Sequence, residues 1–304
     1  MRRLTSLTVA ALAALAVPAS AFAHGDRVPI DGIPGAWRFE TAPIVVSLLA
    51  LALYAQAWLK LRRRGRADHA TWGNAVLFTA GILLALGALV SPLDAIGEEY
   101  LLLAHMGQHQ LLLDLSPALV MLGLRGPIGA FFIPAPLLKP LAHNGPVRAV
   151  FHFLTQWWVA LVWFIAAIAA WHVAGAYQAA LEHQWLHDLE HLTFASAGGL
   201  LWYQLVDPAR RSTLQRKGRS LLALTVLLSV HLIVHPILLS GGVRYGVYAR
   251  QDERLLGLSA LADQHWAAVL MTGEEVLVVG AALVILAWPL LLAFGSQDER
   301  EREG

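Results

Sequence analysis

Seven apolar runs of spanning length punctuate the chain, at 41–61, 71–90, 100–123, 156–173, 186–206, 221–239 and 266–293. A bilayer core takes about 20 apolar residues per helix. The pattern therefore predicts an all-α fold, a polytopic membrane helical bundle with seven transmembrane helices. The third, fifth and seventh runs contain polar residues, which inside a bilayer face a bundle interior or a cavity. The fourth is short and opens on Trp157 and Trp158, as at a membrane interface. Upstream, Arg2 and Arg3 precede an apolar stretch from Leu4 to Val17 and then Ala21-Phe22-Ala23. That order is the basic, apolar and A-x-A layout of a secretory signal. The stretch is short for a span, although an uncleaved anchor has the same composition. The expected organisation is a cleaved signal peptide over 1–23, an outer segment over 24–40, the membrane domain over 41–293 and a charged, unstructured cytoplasmic tail over 294–304.

The loops set the expected orientation. Lys60, Arg62, Arg63, Arg64 and Arg66 follow the first run; Arg125, Lys139 and Arg148 follow the third; Arg210, Arg211, Arg216, Lys217 and Arg219 follow the fifth. The loops after the second and fourth carry no Lys or Arg. Cationic loops stay in the cytoplasm, so the mature N-terminus is expected outside and the C-terminus inside, as in a multi-pass protein of the bacterial inner membrane. The loop 241–263 dissents with Arg244, Arg250 and Arg254. The inner loop 125–151 holds Pro127, Pro134, Pro136, Pro140 and Pro146, too many for one regular helix. Composition agrees with a membrane class: 57% of residues are hydrophobic and 14% charged, where a soluble domain carries roughly a quarter charged. A net charge of +1 leaves no nucleic-acid footprint. The absence of cysteine excludes disulfides and thiolate sites, so any metal must use His, Met or carboxylates.

The chemistry lies in thirteen histidines. With this orientation only His69, His143 and His152 are cytoplasmic; the other ten lie outside or in the outer half of the membrane. Three pairs stand at i, i+4: His105/His109, His187/His191 and His231/His235. Residues four apart share a helix face, with Cβ atoms about 5–6 Å apart, so two imidazoles can reach one ion. His172 ends the fourth run, His265 begins the seventh, and cleavage after Ala23 leaves His24 as an amine–imidazole chelate. His183 and His265 lie near the water boundary and are open to a solvated role. Imidazole suits copper, zinc and iron, while Met106 and Met271 are soft side chains suited to Cu(I). Asp188, Glu190, Asp263, Glu274 and Glu275 are candidates to hold the outer ring nitrogens. Asp114 stands five residues past His109, where α-helical phase places it well away from the histidine face; Pro117 shortly after it frees carbonyls and bends the helix.

The ordered motifs resemble a known family. His105-Met106-Gly107-Gln108-His109 before Pro117 looks like the H-M-x-Q-H helix of the caa-type cytochrome c oxidase assembly factors, the CtaG-like seven-helix membrane proteins. Trp171-His172 is similar to that family's W-H, His187-Asp188-Leu189-Glu190-His191 to its H-x-x-E-H, and Asp263-Gln264 to its D-Q. The resemblance implies a factor, not an enzyme, that matures a haem–copper oxidase by holding or delivering copper, as Cu(I) or Cu(II), at the periplasmic side. Its partners would be cytochrome c oxidase subunits, periplasmic copper chaperones and membrane lipid. Carried over, the resemblance implies His105, His109, His172, His187, His191, Asp263 and Gln264 as functional positions. The chain departs from the family where a second Gln and a Met-Trp usually follow: here stand His265 and Met271-Thr272, then Glu274 and Glu275. His231 and His235 lie outside the pattern.

Three other readings stay open on sequence. A copper transport or resistance protein shares the ligands and the side. A membrane di-iron oxygenase also uses H-x-x-x-H boxes, but on the cytoplasmic side and with adjacent histidine pairs that this chain lacks. An intramembrane zinc protease would read His187 to His191 as H-x-x-E-H with Glu190 as base, and leaves the other pairs unexplained. The signal-peptide reading is checked directly: N-terminal sequencing of the mature protein should begin at His24, and an intact Met1 removes the N-terminal chelate.

Overall fold

The apolar runs become helices, and their polar interruptions become the places where those helices break. The computed structural model describes residues 28–210, 212–251 and 253–303; the expected signal peptide, and with it His24, lies outside them. In chain order the helices are α1 (Thr41–Arg63), α2 (Trp72–Val90), α3 (Pro92–Glu99), α4 (Leu102–Gln110), α5 (Ser116–Gly123), α6 (Ile128–Phe132), α7 (Ala135–His143), α8 (Gly145–Leu154), α9 (Trp157–Trp171), α10 (Ala174–Glu182), α11 (Gln184–Val206), α12 (Arg216–Leu238), α13 (Gly246–Ala249) and α14 (Ala260–Glu303). A π-helical turn, Leu111–Leu115, joins α4 to α5.

By length and composition four helical stretches are able to cross a membrane: Thr41–Arg63, Ala67–Val90, Arg216–Leu238 and Ala260–Leu292. A fifth is added if α8 and α9, bent by 63°, form one broken span. The chain is an all-helical membrane protein among its described residues, with fewer unambiguous spans than the seven expected. The shortfall has a physical cause. The third run is divided at the π turn, and α11 is 23 residues long but opens on Gln184, His187, Asp188, Glu190 and His191. The proline-rich loop is not one regular helix, as expected, but three short ones, with Pro127 and Pro134 at N-caps and Pro146 in a first turn. The tail expected to be unstructured instead continues α14 to Glu303, its Gln, Glu and Arg residues being good helix formers.

Two apolar cores result. The larger gathers Phe164 and Ile168 of α9, Phe194 and Leu201 of α11, Val226 and Val230 of α12, and Ala267 and Val279 of α14. The smaller sets Tyr54 and Leu61 of α1 against Phe78 of α2 and Ile128 of α6, with the Tyr54 and Phe78 rings stacked at 4.2 Å. Leu232, Leu277 and Ile285 are exposed by 78%, 74% and 72%, the outward apolar surface that lipid covers.

Pro117 explains the π turn. Proline has no N–H for the carbonyl four residues back, and its ring crowds that carbonyl; here the carbonyl belongs to Leu113, inside the widened turn. The Leu113 carbonyl is met by Gly198 of α11, where a Cβ would stand 1.7 Å from the Leu113 oxygen. Glycine therefore lets the backbones of α11 and the third run touch, the usual device of packed membrane helices. Gly81 and Gly123 do the same between α2 and α5, against Ser116 and Phe78. The widened turn also corrects the expected phase of Asp114. A turn that closes five residues along brings residue i+5 back over residue i, so Asp114 meets Trp202 of α11, the helix that His109 also faces.

Replacing Gly198 with alanine forces α11 off the π turn and should cost about 1–3 kcal/mol as overpacking. Gly199, with open space where a Cβ would be, is the matched control, and its alanine variant should be neutral or more stable by about 1 kcal/mol. Thermal unfolding in detergent measures both; equal midpoints for the two variants would refute the close approach.

Candidate metal centre

One end of the bundle collects the starts of α4, α11 and α14 and the end of α12, opposite the basic end of α1 and the basic start of α12. Here four imidazoles meet. His105 and His109 of α4 and His187 and His191 of α11 each offer a ring nitrogen within 4.8 Å of the others. They are buried, His191 being the most exposed at 9%.

The His105 helix is held in place from α14. Asp263 accepts the backbone N–H groups of Leu102 and Leu103 at 2.8 and 2.9 Å. A carboxylate at an N-terminus satisfies otherwise orphaned donors and complements the helix dipole. Its neighbour Gln264 accepts from Arg244 N–H at 2.7 Å and donates to the Gly242 carbonyl at 3.2 Å, fixing the loop that carries Tyr245 and Tyr248. Both residues thus act through backbone positioning.

The outer nitrogens of two histidines have partners. His187 Nδ1 lies 2.9 Å from Glu98 on α3. Glu98 is itself paired with Arg38, which also binds Asp94 at 2.8 Å and Glu99 at 3.3 Å. Burial pushes the Glu98 carboxyl up, but the hydrogen bond from His187 and the Arg38 guanidinium outweigh it and hold it below the usual carboxylate range. His105 Nδ1 lies 2.7 Å from the Tyr177 hydroxyl and 3.1 Å from that of Tyr248. The two hydroxyls are 2.8 Å apart, and Tyr248 donates to the Gly97 carbonyl at 2.6 Å. One consistent assignment runs from His105 N–H through Tyr177 and Tyr248 to that carbonyl, the tautomer being set by the network.

With both Nδ1 atoms donating, each Nε2 carries a bare lone pair. Yet His105 Nε2 and His187 Nε2 face each other at 3.3 Å. In those tautomers the two acceptors need a cation between them, which a metal ion or a proton supplies. Two nitrogens each about 2.0–2.1 Å from a tetrahedral ion stand ~3.3 Å apart. A single proton could also bridge these two atoms, but it would leave both ring nitrogens of His109 and the Nε2 of His191 buried without partners. Glu190 adds two unpartnered oxygens, one at 3.8 Å from His109 Nε2. The donor set fits a metal ion held by nitrogen.

Residues 52–291 match the profile of the family described as cytochrome c oxidase caa3 assembly factor. The chain belongs to that family. No curated protein and no solved structure matches it.

The family motifs converge on this pocket unequally. His105, His109, His187 and His191 form it. His172 stands beside it with Nδ1 on the Ile168 carbonyl at 2.7 Å and a buried, unpartnered Nε2; Trp171 before it is tied to Thr193 of α11 at 2.7 Å. The third expected pair does not join. His231 and His235 donate from Nδ1 to carbonyls four residues back, Leu227 and His231, both at 2.8 Å, and His265 lies 2.9 Å from the Ser240 carbonyl. One nitrogen of each ring is held by nearby backbone, and none of the three belongs to the four-histidine group. Met106 and Met271 sit in the apolar core. Asp188 is exposed and bound by Gln184, so among the proposed supporting acids only Glu190 touches the pocket. The supports that the sequence reading missed, Arg38, Asp94, Glu98, Tyr177 and Tyr248, come from the segment before the first span and from segments between spans. One signal was available: Ser91-Pro92 is a capped helix start, and it opens an acidic helix on the histidine side.

Glu98→Gln should weaken metal binding by about 10–100-fold, the usual loss when a partner of a ligating histidine is removed. Asp188→Asn should leave it unchanged. Competition against a chelator of known affinity measures both, and equal affinities for the two variants would remove Glu98 from the site.

Proposed function

We propose that the four-histidine pocket holds copper on the outer side of the membrane and passes it to a haem–copper cytochrome c oxidase during assembly. The observation that carries this reading is the convergence of four imidazoles, with His105 Nε2 and His187 Nε2 facing each other at 3.3 Å and the nitrogens of His109 and His191 unpartnered. Family membership supplies the client: this is a family of cytochrome c oxidase assembly factors. Copper is the cargo, a metal that imidazole binds well in either common oxidation state. His172, which lies off the four-histidine group with a free Nε2, is proposed as a station on the way in or out, and the sequence adds His24, outside the described residues, as another.

The chain's own residues would do three things. His105, His109, His187 and His191 bind. Glu98 and the Tyr177–Tyr248 pair hold the rings of His187 and His105 in the metal-facing tautomer. The aromatic and apolar wall, Phe194 among it at 4.6 Å from the His109 ring, excludes water. Four nitrogen ligands close a tetrahedral shell, whereas a catalytic zinc keeps a position open for water. That closure favours holding over hydrolysis, and is why the H-x-x-E-H run is read as ligands and support. Delivery from the outer side accords with the positive-inside orientation and with periplasmic copper chaperones as donors.

The double variant His105→Ala with His109→Ala should insert normally and lose tight copper binding. Cells carrying it should assemble less active copper oxidase, and added copper should restore activity in part. Metal analysis of the purified protein decides the reading: full copper occupancy in the double variant, or zinc or iron in the wild type, would overturn it.

A further inference from the structure

A second cluster lies deeper along the same helices. Asp114 in the π turn and Glu274 and Glu275 of α14 each offer a carboxylate oxygen within 4.8 Å of the others. Asp114 is five residues beyond His109, roughly 7 Å further along the run. Asp114 and Glu275 are fully buried.

The oxygens divide into held and free. Trp202 donates its indole N–H to Asp114 Oδ1 at 3.0 Å, and Gln110 donates its amide to Glu274 Oε2 at 2.7 Å. The other oxygens, Asp114 Oδ2, Glu274 Oε1 and both of Glu275, are buried without a hydrogen-bond partner. Glu275 is the decisive residue. It has no exposed surface, its oxygens meet no N–H or hydroxyl donor, and its carboxyl lies within hydrogen-bond reach of that of Asp114, a contact that needs a cation, proton or metal, between the two. Among the described residues the salt bridges are made by Arg38, His69, His109 and His187, and none reaches these three acids. Like charges brought together in a low-dielectric interior are costly without a counter-charge. Neutral N–H donors fix the outer oxygens and leave the inner lone pairs for a cation.

We propose that Asp114, Glu274 and Glu275 form a second cation site, for a hard divalent metal ion bound through oxygen. An all-carboxylate set suits Mn²⁺, Mg²⁺ or Ca²⁺ and discriminates against Cu(I), which prefers sulfur and imidazole. The site is chemically opposite to the histidine pocket and does not depend on the copper reading. The widened turn makes it: a regular α-helix would turn Asp114 away from α11 and α14.

Titration of the purified full-length protein with Mn²⁺, followed by electron paramagnetic resonance of the free ion, tests the site. Wild type should take up one equivalent. Glu275→Gln, nearly isosteric, should bind about 10–100-fold more weakly, and the half-buried Glu274→Gln gives the same reading if the first variant fails to insert. The His105→Ala, His109→Ala double variant should keep its Mn²⁺. Loss of the copper reading therefore leaves this expectation standing, and the reverse holds. Equal Mn²⁺ uptake by wild type and both glutamine variants overturns the proposal. So does a wild type that takes up none and shows a protonated-carboxyl infrared band lost in Glu275→Gln, because the acids are then neutralised by protons.

Discussion

The histidine end of this bundle is organised by two imidazole nitrogens that face each other and need a cation between them. His105 Nε2 and His187 Nε2 stand at 3.3 Å, and each ring already spends its N–H elsewhere, one on a tyrosine pair and one on Glu98. Removing buried polar atoms from water without partners is costly, and much of the surrounding structure settles that cost at the outer nitrogens. Arg38 neutralises the acids of α3; Asp263 pins the start of α4; Gln264 holds the loop that brings Tyr248 inward. These side chains arrive from four separate stretches of chain and act on two rings.

Legibility in the sequence followed the physics of each feature. Long apolar stretches such as α1 and α12 announce themselves, because hydropathy over 20 residues is a strong signal. The third run and α11 were legible as helices but weak as spans, since the residues that form the pocket dilute the hydropathy. Spacing of four marked His105/His109 and His187/His191 as pairs, and the fold brings the two pairs together. The same spacing misled at His231/His235: it says that two residues share a face and nothing about what that face meets, and on α12 both rings turn to their own helix backbone. Asp114 was misplaced because phase was counted as a regular α-helix through Pro117, when the proline crowds the Leu113 carbonyl and the turn widens. Arg38, Glu98, Tyr177 and Tyr248 had no periodic signal, since each comes from a short segment whose position depends on tertiary packing.

The histidine pocket and the acid cluster use opposite donor chemistry on shared helices. Nitrogen collects at the ends of α4 and α11, oxygen about one turn deeper where the π turn meets α14. The π turn separates them, and Gly198 fits α11 against that turn. A bundle built from regular helices and larger residues at these points would keep the apolar cores and lose the alignment of both clusters.

The long helix α14 has a mechanical consequence. It holds Asp263, which caps the His105 helix, and Glu274 and Glu275 three turns on, and its internal proline, Pro289, comes only after them. The segment from 263 to 275 is an unbroken rod of roughly 18 Å. A rod transmits axial displacement almost undiminished, so a slip of α14 that drew the carboxylates together at one end would pull on the helix start at the other. The two clusters are in that sense geared to one shaft.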